Sequence, residues 1–204
     1  MLKITINSNA YLCPANGNEA TLEFYERVHI RLPLATTPAE QCAALIGCKA
    51  EEVEAEKGGL KHNQLLGYME NVSQWLGKWA KEMEHAKAKP LRIGNVEYPL
   101  PKDWMHHQFR AHIQLTQWME KSTGDTLVSD VISLYLAPSV FGNDWSEEDR
   151  LHLRKTLLLC RAVEVAPLFF YALSKPRYSR GRGVRALAFR LLRWTLQKRI
   201  GSAY

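Results

Sequence analysis

From Leu60 to about His85 the apolar residues fall at Leu65, Met69, Val72, Leu76, Trp79 and Met83. Steps of three and four sustained over this length predict one amphipathic helix of about seven turns. No other feature restricts the fold as strongly. A rod that long, apolar along one side, must be covered by other elements. Pro90 closes it, because a proline cannot continue a helix.

The segments before and after it supply those elements. Residues 2–7 alternate Leu2, Ile4 and Ile6 against Lys3, Thr5 and Asn7, the pattern of a half-buried strand. Pro14, Asn16 and Gly17 mark a turn. "ATLEFYE" and "VHIRL" then read as further strands, so the first 34 residues predict two or three antiparallel strands. Thr37, Pro38 and Glu40 form a capping-box start for a helix that stops at Gly47. "KAEEVEAEKGG" is a short acidic helix closed by Gly58 and Gly59. After Pro90, "LRI" and "VEY" flank Gly94-Asn95, a two-residue hairpin signal. Pro99 and Pro101 prevent an interior strand from following. Helices resume in "HHQFRAHIQLTQWMEK", "TLVSDVISLYLAP", "SEEDRLHLRKTLLLC", "RAVEVAPLFFYAL" and "VRALAFRLLRWTLQKRI", with Ser146 and Asp149 as a further helix start.

The expected fold is α+β and mainly α-helical. It has a small antiparallel N-terminal β element and a β-hairpin, packed with a helical bundle. The hairpin at residues 91–98 either joins the N-terminal strands in one sheet or belongs to a second unit. The corresponding boundaries are 1–89 for strands and amphipathic helices, 90–175 for the hairpin and helical unit, and 176–204 for a basic arm with a terminal helix. A single domain over 1–175 is the alternative. The 204 residues suffice for a real core, and 46% hydrophobic with 24% charged residues is globular composition. Disorder over the whole chain is excluded.

Reactive constellations are scarce. His106, His107 and His112 cluster on one predicted helix, but neighbours in sequence point about 100° apart and cannot converge on one ion. Cys13, Cys42, Cys48 and Cys160 form no Cys-x-x-Cys pair. They read as reduced, mostly buried thiols of a cytosolic protein, with Cys160 on an apolar helix face. Neither a nucleophile elbow nor a Walker loop occurs. Trp75 and Trp79 read as core, and Trp104, Trp118 and Trp145 as packing anchors near helix ends. The expectation is a non-enzyme with no catalytic residue, no cofactor and no metal. "MLKITINSNAYL" lacks a signal-peptide apolar region, and no 18-residue apolar run offers a membrane span.

Charge is distributed unevenly. Residues 165–204 contain no Asp or Glu and nine basic residues: Lys175, Arg177, Arg180, Arg182, Arg185, Arg190, Arg193, Lys198 and Arg199. The formal total is +6, so residues 1–164 carry 6 − 9 = −3. Such asymmetry calls for an anionic partner. Three kinds fit a basic amphipathic terminal helix: nucleic acid, an anionic membrane surface, or a groove on a protein. "RYSRGRG" also suits an arginine arm whose Tyr178 stacks on a base while arginines meet phosphates. A solvated basic face is the plain alternative.

The stretch "IGNVEYPLPKDW", the helix with Phe109, Ile113 and Leu115, "LVSDVISLYLAP", and the earlier "VHIRLPLATTPAEQCAALIG" together resemble small structural or assembly proteins of tailed bacteriophages, the tail-assembly-chaperone-like kind. The resemblance spans roughly residues 25–173. It implies an α-rich protein, acting in the bacterial host cytoplasm or the phage particle, that binds other virion proteins; a homo-oligomer is a separate partner reading. It carries over no catalytic residues. The basic C-terminal arm is not part of that pattern, which leaves non-specific nucleic-acid binding as the alternative function.

Overall fold

The computed structural model describes residues 1–55, 60–100, 127–142 and 144–174. The fold is α+β and mainly helical, with two small antiparallel hairpins. Two compact units divide the chain: Met1–Ala86 with Thr156–Pro167, and Lys87–Lys155 with Leu168–Tyr204.

In the first unit β1 (Leu2–Ile6) pairs antiparallel with β2 (Asn9–Cys13), from Leu2↔Cys13 to Ile6↔Asn9. Asn7 and Ser8 form the two-residue turn, at φ 45° and 66°. Two positive φ angles are the type I′ geometry that matches strand twist. Ile4, Ile6 and Cys13 are buried on the inner face.

The two strands expected in "ATLEFYE" and "VHIRL" are helical instead. The Thr21 hydroxyl accepts from the Phe24 N–H at 3.3 Å and caps α1 (Leu22–Glu26). The helix widens into a π-helical turn over Arg27–Arg31 and tightens into a 3₁₀ turn over Leu32–Leu34. Val28 and Ile30 are both buried although residues two apart lie on nearly opposite sides of a helical turn, so the apolar alternation that suggested a strand belongs to a turn covered on more than one side. Of the two strand–Leu-Pro segments in the phage resemblance, the one at 28–33 therefore has no strand.

The capping box of α2 (Pro38–Ile46) is present: Thr37 Oγ1 accepts from Glu40 N at 3.2 Å, and Glu40 Oε2 accepts from Thr37 N at 3.0 Å. Gly47 ends the helix in the left-handed region at φ 91°, the usual glycine C-cap. The acidic helix is α3 (Ala50–Glu54); its expected stop at Gly58 and Gly59 lies outside the described residues. α4 runs Leu60–His85 as the spacing required. It buries Leu65, Tyr68, Val72, Trp79 and Met83, while Met69 and Leu76 are half-buried. Trp75 and Trp79 pack tilted against Phe24 at 5.9 and 6.0 Å, and Trp79 meets Tyr25 edge-on at 5.7 Å. Aromatic contacts thus join α1 to α4. Leu22 N donates to Cys160 O at 2.9 Å, and Ala162 N to Ala20 O at 2.7 Å.

In the second unit β3 (Leu91–Ile93) and β4 (Val96–Tyr98) form the expected hairpin, with Gly94 at φ 61° in its turn. It is a separate two-stranded sheet and does not join β1–β2. α5 (Leu127–Phe141) buries Val128, Ser129 and every residue from Val131 to Ala137. Burial on all sides marks a central helix. α6 (Glu147–Leu159) starts as expected: Ser146 Oγ accepts from Asp149 N at 3.1 Å, and Asp149 Oδ2 accepts from Ser146 N at 2.9 Å. Trp145, just before it, is buried. α7 spans Ala162–Ser174; the residues from Thr156 in α6 to Pro167 in α7 belong to the first unit. The helix expected at 106–121, the final helix, Trp104 and Trp118 lie outside the described residues.

Candidate functional site

The nine basic residues singled out as the anion-binding set, from Lys175 to Arg199, lie outside the described residues, as do His106, His107 and His112. Their sequence still fixes their charge. The described residues hold two other polar constellations, one in each unit.

The first surrounds Arg27. The π turn directs its guanidinium to the end of α2, where Nη1 donates to Ile46 O at 3.0 Å. The carbonyl end of a helix carries partial negative charge, which favours a cation there. The fit is close: a Cβ at Gly47 would stand 1.4 Å from Nη1. The guanidinium carbon lies 5.9 Å from the Phe24 ring centre. Burial lowers the Arg27 pKa, and nearby Glu23, Cys13 and Tyr68 oppose that shift. Arg27 Nε is buried without a hydrogen-bond partner, and the Tyr68 hydroxyl is paired with the Cys13 thiol. This site was invisible in the sequence, because Arg27 preceded an apparent strand.

Cys13, Cys42 and Cys48 are electrostatic neighbours in this region, and all are free thiols. Burial pushes Cys42 up to about 12 and Cys48 up to about 11. The thiolate is the nucleophile and the metal ligand, so these sulfurs are held in their inert form. Cys160 is not on a helix face. It occupies the break between α6 and α7, half-buried, with Sγ 3.4 Å from Thr156 O. Among the described residues, no three His, Cys, Asp or Glu side chains are placed to hold a metal ion.

The second constellation ties α6 to α5. Arg150 is buried, and its Nε donates to both Glu147 carboxylate oxygens at 3.0 and 2.9 Å. Its Nη1 reaches Asp130 Oδ1 at 2.9 Å and Ser133 Oγ at 3.1 Å. Arg154 Nε lies 3.2 Å from Asp130 and 3.1 Å from Ser129 Oγ. Burial alone would lower the Arg150 pKa, but its bonds to Glu147 and Asp130 outweigh that and raise it. Glu147 and Arg150 are one turn apart and could be paired from sequence. Asp130, twenty residues away, could not.

Both constellations fasten elements to each other. Among the described residues the most exposed large apolar side chains are Leu159 at 76% and Leu12 at 66%. No helix among the described residues is long and apolar enough to cross a membrane. No protein-family model, curated protein or solved structure matches the chain.

Proposed function

We propose that this chain is a non-enzymatic bacteriophage assembly or virion structural protein, a tail-assembly or tail/neck component that acts by binding other proteins. The observation that carries the reading is the split of charge, −3 over residues 1–164 against +9 over 165–204. A body of one sign with a terminal segment of the other favours docking onto an acidic protein face and speeds encounter with it. The resemblance of the sequence to phage assembly proteins supplies the class, with the host cytoplasm or the phage particle as the place of action.

One feature favours a second reading. Arg177, Arg180, Arg182 and Arg185 surround Tyr178 in a segment without acidic residues, the chemistry of a non-specific nucleic-acid arm. Mass and absorbance at 260 nm of the purified full chain, before and after nuclease and at low and high salt, separate the two. Protein binding predicts no change with nuclease. A fall in both, abolished by removing residues 176–204, transfers the assignment to nucleic acid.

A further inference from the structure

We infer that the outer edge of β2 is a self-pairing interface, on which a second copy of this chain adds its own β2 antiparallel across a twofold axis. The two-residue turn at Asn7–Ser8 makes Ile6↔Asn9 a hydrogen-bonded pair, and alternation then does the same for Ile4↔Tyr11 and Leu2↔Cys13. The backbone N–H and C=O of Ala10 and Leu12 must therefore point away from β1. Among the described residues no third strand takes them, and no backbone hydrogen bond leads from either residue to another element. Ala10 is exposed, and Leu12 is 66% exposed.

Edge strands are normally guarded by charge, proline or a bulge. The outward-directed residues of β1 include Lys3, and β3–β4 carries the Arg92↔Glu97 pair on strands of three residues. β2 reads Asn-Ala-Tyr-Leu-Cys and has no such guard. Pro14 follows immediately and has no N–H, so pairing stops where β2 stops.

The register selects a second copy as occupant. With Tyr11 opposite Tyr11 of the second copy, Ala10 faces Leu12 and Leu12 faces Ala10. All four outward-pointing residues then exchange both backbone bonds. Shifting by two residues either brings Pro14 into the ladder or draws on the turn residue Ser8. The central register also sets a large side chain against a small one on the outer face, twice by symmetry. Lys3 of each copy remains at the far rim of the four-stranded sheet, so no like charges meet. The inference stands independently of the phage reading, since it uses only the hairpin.

The test is the mass of nuclease-treated full-length protein over a dilution series in high salt, for the wild type, Ala10→Pro and Leu12→Lys. Proline at position 10 removes an outward donor and no β1–β2 ladder bond; lysine at 12 adds the missing guard. The wild type is expected to show twice the chain mass when concentrated. Both variants should show half that value, with wild-type circular dichroism. Amide exchange at Ala10 and Leu12 provides a readout without mutation: both N–H groups should be protected in concentrated protein and exchange freely in dilute protein. A wild type that is monomeric throughout overturns the inference while leaving binding to other proteins open. A dimer that persists in both folded variants, or equal exchange at both concentrations, also overturns it.

Discussion

Two arginines, one in each unit, have been taken from water in opposite ways. Arg150 meets two carboxylates and a hydroxyl, and its pKa is raised. Arg27 meets one helix-end carbonyl, leaves Nε without a partner, and its pKa is lowered. The contrast extends beyond the pair. Among the described residues the buried polar atoms without partners include Arg27 Nε, His29 Nε2 and Trp79 Nε1, and all three belong to the first unit. The non-glycine residues with positive φ among the described residues, Asn7 and Ser8, are there too, whereas the turn of β3–β4 uses Gly94. Among the described residues, the buried polar side chains of the second unit find partners. The first unit tolerates unmet ones because aromatic packing around Phe24, Trp75 and Trp79 holds it together.

The largest expected effect comes from removing a partner where pairing is complete. Arg150→Ala removes a buried guanidinium from Asp130 and Ser133, leaving Asp130 to Arg154 while the exposed Glu147 returns to water, so it should cost about 2–3 kcal/mol in chemical denaturation. Arg27→Met should behave differently. It gives up one hydrogen bond but also the burial of a poorly compensated charge, so stability should stay within about 1 kcal/mol of wild type. Equal losses from the two substitutions would break the comparison.

His29 sharpens it on the side of the first unit. Its ring lies against Tyr25 at 4.2 Å, and burial depresses its pKa from 6.5 to about 4. The folded state thus binds the proton more weakly than the unfolded chain does. The resulting stability is complete above pH 6.5 and is lost as pH falls towards 4. Allowing for partial exposure, the loss should be on the order of 2 kcal/mol. Stability of the wild type minus that of His29→Phe, measured across this window, should fall with pH. A flat difference would mean that the imidazole remains in contact with water.

How far the sequence carried this picture depended on whether a signal was local. Thr37 with Glu40, Ser146 with Asp149, and Gly94-Asn95 act through backbone groups within a few residues, so all could be read directly. The stripe of α4 was legible because it repeats over 26 residues. The segment Leu22–Leu34 was misread because Val28, Ile30 and Leu32 mimic a strand period, and a π turn has no propensity signature. β2 was passed over because Asn7-Ser8 lacks the glycine that announces a tight hairpin. The Arg27 site needs the end of α2, and the Arg150 site needs α5; only tertiary packing supplies either. The basic residues from Lys175 to Arg199 remain a matter of charge, as they lie outside the described residues.

The smallest expected effect concerns that unannounced turn. Ser8 sits at φ 66°, where a side chain crowds the backbone at a cost of about 1 kcal/mol. Glycine occupies this region without crowding but gives the unfolded chain more freedom, which returns part of the gain. Ser8→Gly should therefore stabilise by roughly 0.5 kcal/mol, seen as a small rise in the thermal midpoint. Gly94→Ala, at φ 61° with open space around its Cβ position, should do the reverse and lower it. If both substitutions moved the midpoint in the same direction, backbone strain would not distinguish the two hairpins. The contrast between the units would then rest on buried side chains alone.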